Sequence, residues 1–425
     1  MKKIFVLSAI ALASFTTQAD VRINGFANLI GGITTSDKSL YGYDDKISFS
    51  EESLFAIQVS GDINNKMTAT AQLVARGQND YDPDFEWAYM TYKATDNLSV
   101  SVGRLRLPLF NYSASKDVGY SYHWLNTPRS VYDVPFNNLD GIRFDYSNYT
   151  GDWEYNLSVS SGAFTGPAFG TEIKGDNVVL LSAEASYEWF KIRGVAGSAK
   201  TSLDMASSTS GSLIEATQGL ALVNAFGFSN LVDSLQWNDD TGEFYGLSLQ
   251  VDKFDWFISA EMTQIDVAES FIAKTDAYYV TAGLRIGAWT PSVTYEKSKS
   301  EFQDKFQPQI QQMLSTQFSA GQVAAFAATP IGSLVDMGVQ AQTQGAFTLT
   351  TLPVTQSSPI ITSAMNDFIV QGLLNSTVSE NSVLSASLRY DYDTNIALKF
   401  DVTKYTNDLS NSDVTLVRFG VNYVF

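Results

Sequence analysis

From residue 21 onward the chain is a succession of segments, each about ten residues long, in which apolar and polar side chains take turns. Trp153, Tyr155, Leu157 and Val159 alternate with Glu154, Asn156, Ser158 and Ser160. Leu181, Ala183, Ala185 and Tyr187 alternate with Ser182, Glu184, Ser186 and Glu188. The same rhythm runs through Tyr278–Ile286 and Ile396–Thr403, and there too the charged residues keep to one face. A period of two is the signature of a half-exposed strand. In a barrel that crosses a bilayer, the apolar set faces lipid and the polar set lines a wet lumen. The pattern therefore predicts an all-β, antiparallel transmembrane barrel of sixteen strands. They are expected near 21–34, 46–60, 66–77, 85–94, 98–104, 141–149, 153–162, 177–188, 191–200, 242–252, 255–266, 275–287, 289–298, 381–392, 395–405 and 413–425. In the fourth, Phe85–Ala94, either face fits the lipid.

The links between segments fall into two kinds. Those after even-numbered strands, such as Gly61–Asn65, Asp96-Asn97, Gly151-Asp152, Asp252-Lys253 and Asp393–Asn395, are short and rich in turn residues. The long ones, 104–140, 201–241 and 299–380, all follow odd strands. A miscounted strand would scramble that parity. The expectation is thus short turns at one face of the membrane, taken as the periplasmic face holding both termini, and long loops outside. Segments such as Gln309–Phe318 and Met365–Leu374 suit short helices. A connection of some eighty residues is too long to lack structure, so 299–380 is expected to form a folded lid over the mouth, or a surface for a partner.

The first residues set the compartment. Lys2 and Lys3 precede an apolar run from Ile4 to Phe15, and Thr17-Gln18-Ala19 offers small residues for cleavage. That order predicts a secretory signal peptide over 1–19; the run is too short to span a bilayer as a helix. Aromatic residues make up 13% and charged ones only 17%, a balance that suits strands with aromatic girdles. No cysteine is present, which excludes disulfides and thiolate metal sites. The formal net charge is −18, and without Lys2 and Lys3 the balance is 25 basic to 45 acidic residues. Such an excess argues against nucleic acid as a partner. His123 is the only histidine, and no glycine loop of nucleotide-binding type is present. Neither catalytic machinery nor a cofactor is therefore expected.

The last strand places Phe419, Val421, Tyr423 and Phe425 on one face and ends in Phe, and the first begins Val21-Arg22-Ile23-Asn24-Gly25-Phe26-Ala27. With sixteen strands between them, these features resemble the general diffusion porins of Gram-negative outer membranes over essentially the whole mature chain. The resemblance implies an outer-membrane location amid lipopolysaccharide, and a homotrimer. It also implies that Val421, Tyr423 and Phe425 act as the signal read by the barrel-assembly machinery. In that family the loop after the fifth strand folds inward and narrows the channel, with acidic loop residues facing arginines on the wall. Here that loop is 104–140. The acidic candidates are Asp117 and Asp133; the wall candidates by alternation are Arg22, Arg76 and Arg418, with Arg143 and Arg389 also facing the lumen. The loop is itself basic at Arg104, Arg106 and Arg129, which departs from the family's simplest pattern.

The same loop carries Tyr112, Tyr120, Tyr122, Trp124 and Tyr132. These rings either pack the loop against the wall or offer a face on which sugars and other planar solutes stack. Two functions remain: a channel for ions and small hydrophilic solutes, general or sugar- or peptide-selective, and a surface barrel whose loops bind a partner. Inward Ser, Thr, Gly and Arg positions favour the channel.

Overall fold

A computed structural model describes residues 21–268, 270–302 and 306–425. The expected signal peptide lies outside them. The strands are β1 Val21–Thr34, β2 Leu54–Asn64, β3 Met67–Arg76, β4 Pro83–Lys93, β5 Leu98–Arg106, β6 Asn138–Thr150, β7 Trp153–Ala168 and β8 Thr171–Tyr187. They continue as β9 Phe190–Leu203, β10 Asp240–Lys253, β11 Trp256–Val267, β12 Lys274–Leu284, β13 Trp289–Glu301, β14 Ser379–Asp393, β15 Ile396–Asn407 and β16 Ser412–Val424. Each pairs antiparallel with its neighbours in sequence, and β1 pairs with β16 to close the barrel. At the seam Gly25 and Phe425 exchange two backbone hydrogen bonds of 2.9 Å. A Cβ at Gly25 would run into the Phe425 ring and the Ala56 carbonyl, so the closure needs glycine there.

Alternation becomes an outer belt. Leu157, Leu181, Leu247, Val280, Phe400 and Phe419 stand exposed on the outside, while Ser259, Thr281, Thr294 and Asp401 on the opposite face are buried within the barrel. A closed barrel satisfies every ladder hydrogen bond internally, and that permits strands to cross hydrocarbon. No single described helix is long and apolar enough to do so.

Four strands differ from expectation. The second strand begins at Leu54, not residue 46. Lys46–Glu51 alternates, but only Ser48 bridges to β1, through Gly32, and Phe49 instead packs edge-on against Phe419. The two-faced reading of β4 has a cause: Gln72 pairs with Trp87 and Leu73 with Phe85, leaving Glu86 as a bulge. Phe85 faces out, the bulge reverses the phase, and Met90 and Tyr92 face out on even numbers. Finally, β7 and β8 run past their expected ends into a long hairpin that turns at Phe169-Gly170.

Three long connections leave the same end of the barrel. Residues 107–137 fold into the lumen and include the one-turn helix α1 (Arg129–Tyr132). Residues 204–239 form α2 (Gly211–Ala225) and α3 (Ser229–Leu235). Beyond β13 come α4 (Gln307–Leu314), α5 (Ala320–Ala327), α6 (Pro330–Gln342), α7 (Val354–Met365), a π-turn over Asn366–Val370, and α8 (Gln371–Asn375). These helices bury Met313, Phe318, Phe326, Ile361 and Met365 among themselves. That apolar core runs on through Phe271, Ala277, Tyr279 and Phe244 to Trp124, Tyr132 and Phe110 of the inward loop. Helical cap and inward loop are therefore one packed body, whose apolar core takes in side chains of the wall from β6 to β12.

Candidate functional site: the lumen cavity

The inward loop is held by side chains of the β9–β16 wall reaching to its backbone. Arg193 donates to the carbonyls of Pro108 and Leu109. The Glu261 carboxylate accepts from the Asn111 amide at 2.9 Å and the Tyr132 hydroxyl at 2.7 Å. Glu296 accepts from the Ser130 amide at 2.9 Å. Lys399 donates to the carbonyls of Gly119, Tyr122 and Trp124, and Arg389 to those of Tyr120 and Tyr122. The Trp124 indole donates to Thr281 and Thr294. These contacts explain several inward charges on the strands: each satisfies a loop group that would otherwise be buried without a partner.

At the loop's far end the Glu52 side chain, only 1% exposed, is a hub. Its carboxylate accepts from Arg418 at 2.9 Å, Arg129 at 2.9 Å, Asn126 at 3.1 Å and the Tyr43 hydroxyl at 3.2 Å. Burial resists ionisation of Glu52, but Arg418 and Arg129 outweigh it and lower its pKa to about 2. Arg418 also pairs with Asp401 at 2.7 Å.

With the β9–β16 side filled, open space is left against β1–β7. A cavity of about 720 Å³ lies there, lined by the inward loop on one side and by Asn28, Arg76, Glu86 and Asn138 on the other. No residue of the helical cap lines it. Its centre is a ring of ion pairs: Arg76 meets Glu86 at 2.7 Å and Asp117 at 3.2 Å, and Arg106 meets Glu86 at 3.0 Å and also Asp117. Burial opposes charge on Asp117, yet Arg106 and Arg76 hold its carboxyl well below the usual range. Arg104 pairs with Asp140 at 2.9 Å further along the lining, and the exposed Asp133 lies on the loop side.

Of the wall arginines and acidic loop residues named as constriction candidates, Arg76, Asp117 and Asp133 line this cavity. The others lie elsewhere. Arg22 is at the short-turn end, paired with Asp62 at 2.9 Å and half exposed. Arg418 sits in the Glu52 hub, and Arg143 pairs with Asp145 at 2.8 Å. Among the loop aromatics, Tyr122 and Tyr132 border the cavity but are almost fully buried, Trp124 is buried by packing, Tyr112 leans on Trp124 at 5.4 Å, and the Tyr120 ring lies under Arg389. His123 is wedged between the rings of Trp124 and Phe257. Glu86 and Glu52 escaped the sequence reading because one occupies a bulge and the other a loop, where alternation does not apply. The two-faced pattern of β4 was the one available sign of Glu86.

A closed sixteen-stranded barrel with an inward loop and a charged cavity defines an outer-membrane channel protein. A family model described as Gram-negative porin matches residues 6–321, and the chain belongs to that family. No curated protein matches the sequence. Among solved structures, the outer-membrane channel DcaP of Acinetobacter baumannii is similar at 11% identity and a TM-score of 0.53, covering 97% of this chain and 100% of that one. The anion-selective porin from Comamonas acidovorans shares 10% identity at a TM-score of 0.52, covering 96% and 100%. Outer-membrane expressed OmpT of Vibrio cholerae also shares 10% at 0.52, covering 97% and 99%. At such identities the likeness is one of fold.

Proposed function

We propose that this porin passes ions and small hydrophilic solutes passively, without catalysis or a cofactor, through the cavity between the inward loop and the β1–β7 wall. The observation that carries the reading is that charged and polar side chains line this cavity inside a closed barrel, whereas on the other side of the lumen the inward loop is hydrogen-bonded to the wall and buries its aromatic rings there. Arg76 and Asp117 form the constriction together with Arg106 and Glu86, and Asp133 adds an acidic group on the loop. Because the central charges are mutually paired, selectivity is weak. The acidic surface adds cation preference when salt is dilute, since charges more than roughly 8 Å from an ion are screened at physiological ionic strength.

The family resemblance further supports a homotrimer with both termini in the periplasm and Val421, Tyr423 and Phe425 as the assembly signal; all three of these side chains are exposed on the outer face. Planar-bilayer recordings of purified protein test the channel. Discrete current steps are expected, with a reversal potential that moves toward cations on dilution. Arg76→Ala moves it further, by leaving Glu86 and Asp117 to share Arg106. Absence of steps removes the channel reading, and identical reversal potentials in both proteins at both salts remove the assignment of the constriction.

A further inference from the structure

Away from the lumen, the outer ends of β8 and β9 rise beside α2 and α3 and enclose a second cavity of about 530 Å³. It shares no lining residue with the lumen cavity. Lys174, on its rim, is five residues along β8 from Val179, an exposed side chain of the apolar belt. At about 3.3 Å per residue that distance is roughly 16 Å, so the cavity opens above the belt, on the side of the long loops.

Its chemistry has two parts. The floor is apolar: Leu203, Met205, Leu220, Val232 and Trp237, all buried. Trp237 is fixed, because its indole N–H donates to Thr201 at 2.8 Å and its carbonyl accepts from the Leu203 amide at 2.9 Å. The indole therefore offers the cavity only its ring. The mouth is polar and uncommitted. The carboxamides of Asn224, Gln236 and Asn238 surround it, and none makes a side-chain hydrogen bond within the described residues. Glu172 and Lys174 add one charge of each sign, neither in an ion pair among the described residues, while Asp204 caps the Ala206 amide.

We infer that this cavity is a binding site for a neutral saccharide of one to three rings. Its volume falls within the roughly 300–1,000 Å³ usual for small-ligand sites. The apolar face of a pyranose covers Leu220 and Trp237, and its hydroxyls pair with three carboxamides that each offer donor and acceptor. An anionic ligand is disfavoured, because the acidic groups of the rim outnumber Lys174 and the whole chain is acidic. The sugar comes either free from the medium or as part of a glycan carried by surrounding lipopolysaccharide. This site is independent of the channel.

The test uses the full mature chain, purified in a detergent without a sugar headgroup, with maltotriose, cellotriose and lactose as probes in saturation-transfer NMR titrations. Saturable binding is expected for at least one. Ala221→Trp, which fills the mouth, weakens it about tenfold or more, and so does the Asn224→Ala/Gln236→Ala pair. Both variants keep wild-type single-channel conductance, which also reports that they fold. Arg76→Ala binds as wild type does. Repeating the titration in nanodiscs with and without lipopolysaccharide separates the sources: suppression by lipopolysaccharide identifies its glycan as the ligand, and no effect identifies the free sugar. No saturable binding to any probe overturns the inference. Binding that survives both cavity variants also overturns it, by placing the sugar in the lumen.

Discussion

Glu52→Ala is expected to lower the unfolding free energy by about 3–5 kcal/mol, because it removes one of the two carboxylates that neutralise the buried cation of Arg418 and leaves Arg129 without its carboxylate. The titration of Glu52 leads to a similar figure. Its pKa falls from 4.5 when unfolded to about 2 when folded, which corresponds to roughly 3 kcal/mol of stabilisation. A depressed carboxyl pKa contributes fully above the unfolded value and loses its contribution as pH falls through the folded one. The wild type should therefore lose stability between pH 4.5 and 2, and Glu52→Gln should show much less of that acid dependence. Urea unfolding followed by tryptophan fluorescence, at neutral pH and across the acid range, measures both effects. Equal acid sensitivity in wild type and Glu52→Gln would mean that the hub does not set the acid limit. The inward loop is tied to this hub through Asn126 and Arg129, so the destabilised protein should also show noisier open-channel current.

Trp124→Ala should cost a comparable amount, about 3–5 kcal/mol for truncating a buried aromatic. Trp124 is 3% exposed, contacts the rings of Tyr112, Tyr122, His123 and Tyr279, and donates to Thr281 and Thr294. It joins the inward loop to the core that continues into the cap. Its loss should loosen the loop from the β12–β13 wall and raise mean conductance as the filled half of the lumen takes in water. A stacking surface for sugars behaves differently: truncation there changes solute affinity and leaves stability unaltered. Unfolding midpoints and single-channel currents on the same preparation separate the two. Unchanged stability with altered sugar block would return Trp124 to the permeation path.

The sequence by itself determined the barrel, because the cause of the pattern is local. Side chains on a strand alternate between faces whatever surrounds them, and lipid on one side with water on the other writes that alternation into residues such as Tyr278–Ile286 and Ile396–Thr403. The parity of short and long links then followed from chain continuity. Tertiary structure decided where local periodicity fails or where two distant segments meet. The bulge at Glu86 shifts the phase of β4 by one residue. The start of β2 depends on whether Lys46–Glu51 finds a partner along β1, which the segment cannot encode alone.

The fate of the inward charges was likewise a matter of partners. Arg22, Arg76, Arg143 and Arg418 share the same period-2 signal, yet they end beside Asp62, Glu86 with Asp117, Asp145, and Glu52 with Asp401, respectively. Only the folded loop distinguishes a charge that faces the open cavity from one that anchors backbone. The apolar lumen residues Phe244 and Tyr279 break the simple rule for the same reason. They are buried by the inward loop and the cap rather than by lipid, and desolvation depends on what covers a side chain, not on the strand that carries it.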